Sequence, residues 1–441
     1  MHDLRKQVLL ESGKTVSRKA RSKQASGVTS QNGSPSGSRN ASRAASRNAS
    51  DDEDEFSDGT EWSTNSIDEM IASDDVDAPP DVWHSDLDTR ITNLVDRKRS
   101  NDESRQANLA RIVYLLTVHY AQQQIQPRLG DLLPSLLKSV KGGTTEHEII
   151  LALKALALVV ITDPSDTIYD AVSQPIKLIV TDSHHMKAKV AAIHALGVVT
   201  FYGGASEDET QNIMDLLLEI IESDGQSIEA GDDGDVVTSS LEEWGFLATQ
   251  MEDMEDTSEE PMEAFVEQLE ASHTSVQVAA GENIALLFEK SYTEREDDEE
   301  LESHEPDSEE EDDPNMVKRY TVWRREDQLK HTLRDLAKMS SKRLSKKDKK
   351  SLHTNFADIL NSVEHPTRGP RYSNAINEET GKAYGSRMTV ALGAGSQMVI
   401  DKWWKLHRLQ ALKRVLQSGF LIHYELNELV FDSLPVMLER D

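Results

Sequence analysis

Two glycine-containing segments carry some of the residues of a nucleotide-binding loop. Ser12-Gly-Lys-Thr15 matches the end of a P-loop, but the first glycine of that motif would fall at position 8, which is Val8. Gly393-Ala-Gly395 lacks the third glycine and the helix start of a dinucleotide fingerprint. It lies between two apolar segments that favour a β-hairpin. We therefore expect neither segment to bind a nucleotide.

Histidines and acids come closest together at His184 and His185 and in the segment Glu146-His147-Glu148. Neither group offers three or four ligands at helical spacing, so ordinary polar residues at helix ends are the preferred interpretation. The chain has no cysteine, which excludes a disulfide framework and a thiolate metal site. No Ser/His/Asp arrangement has a recognisable context. The sequence predicts a protein that is not an enzyme and has no cofactor or small-molecule substrate.

Two basic blocks carry the residue types that could bind a macromolecule. The formal net charge is −31, but the charge is distributed in blocks, and these two are positive. Their side chains could neutralise phosphates and release counterions, while the near absence of aromatic residues argues against base stacking. The candidates for contact with the backbone of a structured RNA are Arg5, Lys6, Lys14, Arg18, Lys19, Arg21, Lys23, Lys342, Arg343, Lys346, Lys347, Lys349 and Lys350. Two alternatives remain open: pairing with the protein's own acidic segments, and nuclear import.

Four serines lie in sequence contexts that protein kinases favour. Ser42, Ser46 and Ser50 each follow an arginine by three residues, and Ser50 and Ser308 precede acidic runs. Phosphate would reverse the local charge of such a segment. We therefore predict phosphorylation at these four positions.

The segments around these blocks differ strongly in composition. Residues 1–80 form a basic and then acidic arm with few apolar residues, and we predict that this arm is disordered. No apolar stretch reaches the ~18 residues of a membrane helix, and the N-terminus lacks the apolar core of a signal peptide. The expected location is therefore the cytoplasm, the nucleus or both, with no membrane partner.

Between residues 81 and 290 a helical motif recurs about every forty residues. Its marker positions are separated by 40, 40, 48 and 40 residues, and a small residue follows four of the five markers. Second helices are predicted between them, at 129–140, 168–180, 209–221 and 261–269. The markers are Leu116, Leu156, Leu196, Trp244 and Ile284, and the small residues are Ala157, Gly197, Gly245 and Ala285. Helix pairs at this spacing are typical of armadillo and HEAT repeats, with an irregular all-α domain as the alternative.

The remaining chain is predicted to be an acidic linker, 291–316, and a C-terminal unit, 317–441. Apolar spacing predicts helices over 317–338 and 351–363. Residues 387–400 fit a β-hairpin, and Asp401 is placed to cap a helix that extends to about Ser418. A last helix follows at about 422–431. The predicted fold class is all-α: an armadillo/HEAT-like solenoid, a C-terminal helical domain with a short β-hairpin, and disordered charged arms.

Four stretches of the chain resemble the interferon-related developmental regulator family, with this chain as a fungal-type member. They are 82–91, 275–289, 342–364, and the segments from Ile400 to Trp403, Leu416 to Phe420 and His423 to Leu429. The resemblance implies an armadillo-like fold. It also implies two functional themes, because family members are described as factors that occupy non-translating ribosomes and repress translation, and as transcriptional co-regulators that contact other proteins.

Two functions are therefore expected. The first is a regulator that binds ribosomes through the basic blocks and represses translation. The second is a nuclear co-regulator whose solenoid recruits transcription-related proteins on its concave face. Fold alone does not choose between them.

Overall fold

The computed structural model describes residues 82–97, 100–295, 316–338, 346–376, 381, 383–393 and 396–435, with backbone only at 346–351, 393 and 396. All of them belong to one compact unit, Phe56–Asp441. Thirteen helices lie among the described residues between Val82 and Glu364. They are α1 (Val82–Val95), α2 (Asp102–Val118), α3 (Gln122–Ile125), α4 (Leu129–Gly142), α5 (Glu146–Thr162), α6 (Ile168–Asp182), α7 (Met186–Tyr202), α8 (Glu207–Glu222), α9 (Gly234–Ala248), α10 (Glu259–Gln268), α11 (Thr274–Lys290), α12 (Glu326–Lys338) and α13 (Lys346–Glu364).

Apart from the single-turn helix α3, these helices form six consecutive pairs. The second helices of the pairs are α2, α5, α7, α9, α11 and α13, and each packs on the next in that order. We call this row the inner stack. Each member also packs on the first helix of its own pair, namely α1, α4, α6, α8, α10 or α12. The arrangement confirms the predicted armadillo/HEAT-like solenoid.

The five marker residues lie in α2, α5, α7, α9 and α11 and are all buried. Helices α5 and α7 are apolar around nearly their whole circumference, which is the composition of a helix covered on all sides. The sixth pair, α12 and α13, continues the stack within the segment predicted to begin the C-terminal unit. The predicted domain boundaries themselves remain a prediction.

Small residues after the markers allow close helix approach, as predicted. A Cβ atom at Gly197 would lie 1.9 Å from Oε2 of Glu243 on α9. A Cβ atom at Gly245 would lie 2.2 Å from Oδ1 of Asn283 on α11. Both distances are far below any real contact, so a side chain at either position would displace Glu243 or Asn283.

Polar side chains fix where several helices begin. Asn101 and Thr145 accept backbone N–H bonds at the starts of α2 and α5, and Asp233 does so for α9. At the start of α8, Ser206 and Glu209 form a reciprocal capping box. These caps satisfy N–H groups that have no partner within their own helix.

In the part of the chain that the structure describes, three short antiparallel strand pairs interrupt the helices. They are β1 (Tyr292–Glu294) with β2 (Met316–Lys318), β3 (Tyr372–Ile376) with β4 (Ala383–Ser386), and β5 (Thr389–Gly393) with β6 (Ser396–Val399). The pair β5–β6 confirms the predicted hairpin. The predicted helix over 317–338 was wrong in its first part, because Val317 pairs with Thr293 and the helix begins only at Glu326.

The chain ends in helices α14 (Trp403–Leu416), α15 (Phe420–Leu426) and α16 (Glu428–Ser433), with a 3-10 turn at Gln417–Gly419. Asp401 does not cap α14 as predicted; its Oδ1 lies 2.6 Å from Nζ of Lys405 instead. The predicted last helix is divided at Asn427. Among the described helices, none is long and apolar enough to cross a membrane.

Candidate interaction site on the inner stack

Most of the residues predicted to bind RNA or to be phosphorylated lie outside the described part of the chain. These are Arg5, Lys6, Lys14, Arg18, Lys19, Arg21, Lys23, Lys342, Arg343, Ser42, Ser46, Ser50 and Ser308. Lys346, Lys347, Lys349 and Lys350 form the start of α13, where the backbone alone is described. Cations at a helix N-terminus oppose its partial positive charge, so helix stability does not account for these lysines. Phosphorylation of the four serines stays a prediction.

The acidic segment at the start of α5 has a structural role. Arg97 Nη2 and Arg105 Nε each donate to Oε1 of the buried Glu148, both at 2.9 Å. Burial by itself would raise the pKa of the Glu148 carboxyl, but the hydrogen bonds and charges of its partners lower that pKa below its usual value. Within the described residues, no group of three His, Asp or Glu side chains could hold a metal ion.

A more extensive polar site lies where the end of the chain crosses the inner stack. We call residues 401–435 the C-terminal strap. Helix α14 packs against α11, α9 and α5, and the 3-10 turn packs against α2. At the turn, a Cβ atom on Gly419 would lie 1.7 Å from the backbone oxygen of Thr117. Glycine at 419 therefore permits the direct contact of the strap with α2.

Strap side chains bind carbonyl groups at the C-terminal ends of the inner helices. The last carbonyls of a helix have no partner within it, and a buried carbonyl without a partner is costly. Three donors supply what these ends lack: His423 Nε2 to Leu116 O at 2.9 Å, Asn427 Nδ2 to Ile161 O at 2.8 Å, and Arg408 Nη2 to Thr249 O at 3.0 Å. The strap thus supplies a donor to one terminal carbonyl each of α2, α5 and α9.

Arg408 connects several elements at once. Its Nε donates to Oγ1 of Thr249 at 3.0 Å, and its Nη1 donates to the backbone oxygen of Ser433 at 3.4 Å. The guanidinium lies 5.0 Å from the ring centroid of Trp404 and 5.2 Å from that of Phe201. One side chain therefore holds α14, α16, α7 and α9 together through hydrogen bonds and cation–π contacts.

A buried ion cluster joins the middle of the strap to the stack. Arg414 Nη2 on α14 lies 2.7 Å from Oε1 of Glu243 on α9, and Arg414 Nη1 lies 3.4 Å from Oε2 of Glu242. His194 Nδ1 on α7 lies 2.8 Å from the same Glu243 oxygen. The side chains of Arg414 and Glu243 are only 7% and 1% exposed. Strap and stack are therefore complementary in charge at a place that water does not reach.

Glu289, near the end of α11, caps the start of the strap. The backbone N–H groups of Trp403 and Trp404 donate to its two carboxyl oxygens at 2.8 and 3.1 Å. This is the cap that Asp401 was predicted to supply. Burial raises the pKa of the Glu289 carboxyl to about 7, although the two backbone hydrogen bonds act to lower it.

This raised pKa predicts a pH dependence of stability. The folded state binds a proton at Glu289 more tightly than the unfolded state, where the pKa is 4.5. The stabilisation is complete below pH 4.5 and is lost as pH rises through about 7, by at most about 3 kcal/mol. Urea unfolding between pH 4.5 and 8 should show a shallower decline with pH for Glu289→Gln than for the wild type. The exposed Glu270→Gln variant should keep the wild-type slope, and equal slopes for Glu289→Gln and the wild type would contradict this prediction.

The strap is the part of the site that sequence reasoning missed. The sequence does contain a signal for the strap: acids such as Glu243 and Glu289 lie within largely apolar helices, and α14 carries basic residues. A buried carboxylate requires a partner, and local spacing does not say where in the chain that partner lies. The inner stack is contacted by the strap, a part of the same chain. That the concave face recruits transcription-related proteins stays a prediction.

Comparison with known proteins supports the family resemblance. The model of the interferon-related developmental regulator family matches residues 45–364. An uncharacterised protein of Schizosaccharomyces pombe is 29% identical over 345 residues, which cover 77% of this chain and 71% of the relative. Interferon-related developmental regulator 1 of Homo sapiens is 25% identical over 374 residues, covering 80% and 73%, and the Mus musculus protein is 24% identical over 374 residues, covering 80% and 74%. The chain belongs to the interferon-related developmental regulator family.

Proposed function

We propose that this protein is a non-enzymatic regulatory scaffold that binds non-translating ribosomes through its basic segments and represses translation. The observation that carries the proposal is the basic run from Lys342 to Lys350, which leads into α13 where cations do not stabilise the helix. Membership of a regulator family supports the regulatory role. The partner we propose for the lysines and arginines is the phosphate backbone of ribosomal RNA.

Helix α13 gives this basic run a firm support. Phe356, Ile359 and Val363 are buried, and α13 packs on both α11 and α12. A Cβ atom at Gly281 of α11 would lie 2.6 Å from Cδ1 of Ile359, so the two helices approach closely. The described backbone of residues 346–351 therefore belongs to a helix that is packed on the scaffold. That suits backbone contact with a structured RNA, in which phosphate contacts set orientation.

The C-terminal strap also bears on the choice of function. Its contacts cover part of the inner stack with side chains of the same chain. A partner that used this face would first have to displace a buried ion cluster. The arrangement favours a role for surfaces away from this ion cluster, and we propose the basic segments for that role.

Sedimentation of a cell lysate through a sucrose gradient tests the proposal. At low salt we expect the protein to migrate with monosomes, and at high salt we expect it at the top of the gradient, because each neutralised phosphate releases counterions. Reversing Lys342, Arg343, Lys346 and Lys347 to Glu should weaken binding and reduce its salt dependence by roughly 0.7–0.9 log unit for each phosphate that is no longer neutralised. Addition of the wild-type protein to a translation extract should lower reporter synthesis, and the variant should lower it less.

A control variant should separate site-specific from general charge effects. Lys138, Lys141, Lys177 and Lys187 lie on α4, α6 and α7, and their reversal to Glu changes the net charge by the same amount. We expect this control to sediment with monosomes like the wild type. Wild-type protein that stays at the top of the gradient at low salt would contradict the proposal. Equal weakening of binding in both variants would contradict the assignment to the segment from Lys342 to Lys347.

The alternative is a nuclear transcriptional co-regulator that acts through protein–protein contacts of the solenoid. An exposed apolar surface on the strap favours protein partners of some kind. Absence from monosomes at low salt, together with recovery in chromatin fractions, would support this alternative over ribosome binding.

A further inference from the structure

The outward face of the strap carries an unusual concentration of apolar side chains. Leu421, Ile422 and Leu426 on α15 are 40%, 38% and 61% exposed, and Phe431 on α16 is 43% exposed. The other large exposed apolar residues of the described chain are distributed over six separate positions, Val82, Val95, Leu178, Ile376, Tyr384 and Val399. Contiguous exposed apolar surface often marks an interaction site. We call these four residues the strap patch.

Positions in the two short helices place the strap patch on their solvent side. Residues 421, 422 and 426 fall on one face of α15, and the alternate face carries the buried His423 and Tyr424. Tyr424 donates from its hydroxyl to the backbone oxygen of Leu434 at 2.8 Å, and its ring centroid lies 5.4 Å from that of Phe431. The inward contacts already hold both helices in place. Leu421, Ile422 and Leu426 take no part in these contacts.

Acidic side chains surround the strap patch. Glu425, Glu428 and Asp432 are exposed on the same two helices. The pKa of the neighbouring Tyr120 hydroxyl is raised by burial and further by the negative charges of Asp163 and Glu428. An apolar centre with an acidic rim is complementary to a surface that combines apolar and basic side chains.

We propose that the strap patch binds an amphipathic helix of a partner protein whose apolar stripe is flanked by lysines or arginines. The apolar stripe would cover Leu426 and Phe431, and the basic flanks would pair with Glu425, Glu428 and Asp432. This contact is with protein rather than RNA, and it goes beyond the ribosome binding proposed above.

Charge argues against the other occupants of this surface. Two copies of the chain would bring one acidic rim against another, which is unfavourable. The residues after Pro435 read Val-Met-Leu-Glu-Arg-Asp and contain two acids and one base. An anionic membrane would repel the same acidic rim. A basic amphipathic helix is the one occupant that matches both the apolar and the charged residues.

A labelled peptide tests the proposal with the full-length protein. The probe is a short fluorescent helical peptide of leucine and lysine with the leucines on one face, and its partner probe has glutamate in place of lysine. Fluorescence anisotropy should show binding of the lysine peptide and not of the glutamate peptide. The double variant Leu426→Ser, Phe431→Ser should bind the lysine peptide about tenfold more weakly or worse. The matched variant Val95→Ser, Leu178→Ser, with exposed apolar residues elsewhere, should bind it like the wild type.

Charge reversal supplies the second arm of the test. Glu425→Lys, Glu428→Lys and Asp432→Lys together should move the preference toward the glutamate peptide. Unchanged binding by the Leu426→Ser, Phe431→Ser variant would overturn the proposal, because the peptide would then follow only the general negative charge of the protein. A gain in peptide affinity on removal of residues 436–441 would also overturn it, because the chain's own end would then be the occupant. A dimer of the wild-type protein that dissociates in the Leu426→Ser, Phe431→Ser variant would also overturn the proposal, because a second copy of the chain would then be the occupant. All variants change exposed side chains, and equal thermal midpoints by circular dichroism would show that they fold.

Discussion

Replacing Arg414 with alanine should lower the free energy of unfolding by about 3–5 kcal/mol, the usual cost of removing one partner of a buried ion pair. The truncation leaves Glu243 with an excess negative charge at a place where its side chain is 1% exposed. Glu242 is separated from its guanidinium partner at the same time. The measurement is urea unfolding followed by far-UV circular dichroism at neutral pH.

Lys405→Ala is the matched control within the same helix. Lys405 pairs with Asp401, whose side chain is 48% exposed, so its removal should change stability by less than about 1 kcal/mol. The double variant Arg414→Met, Glu243→Met should recover much of the stability, because well-packed apolar residues can replace a buried pair. A destabilisation by Arg414→Ala as small as that by Lys405→Ala would mean that the strap does not hold this position in solution.

The solenoid could be predicted from the sequence because its information is local. Each helix pair buries its own apolar stripe, and the marker recurs in α2, α5, α7, α9 and α11, followed by a small residue in four of the five. Gly197 and Gly245 are small because Glu243 and Asn283 of the next helix lie against them. The regular spacing of the markers in the sequence therefore corresponds to the regular packing of the inner helices. The Trp244 copy follows the longest step and still occupies the equivalent place in α9.

Features that depend on distant parts of the chain were missed. The cap of α14 comes from Glu289, 114 residues before the Trp403 N–H that it accepts. Asp401 has the residue type and position of a local cap, so sequence reasoning chose it. Strand β2 was predicted as helix because its partner Tyr292–Glu294 lies on the far side of an acidic segment. In each case a tertiary contact determined the outcome.

The candidate site likewise has one part that local sequence predicts and one part that depends on contacts between distant residues. The basic residues around Lys346 are visible in the sequence as a charge run, and local composition suffices to nominate them. The strap could not be nominated that way, because its donors to the inner stack bind carbonyls and carboxylates 114 or more residues away, as the Trp403 N–H does with Glu289. The strap covers part of the inner stack, so that part of the scaffold is not available to partners. It also accounts for the acids that lie among the apolar residues of the inner stack.

The C-terminal strap packs on the inner stack, and we expect it to stay there in solution. Hydrogen exchange of the intact protein, followed by mass spectrometry, tests it most directly. Leu406, Leu409 and Leu412 are buried, and each such side chain contributes about 1.5–3 kcal/mol of apolar transfer. We predict that the amides of α14 are slowed at least roughly a thousandfold, like those of α7 and α9, because opening would expose these side chains to water. The exposed segment 255–257 should exchange quickly and serves as the internal control. Exchange of the α14 amides within seconds, while α7 and α9 remain protected, would contradict the claim.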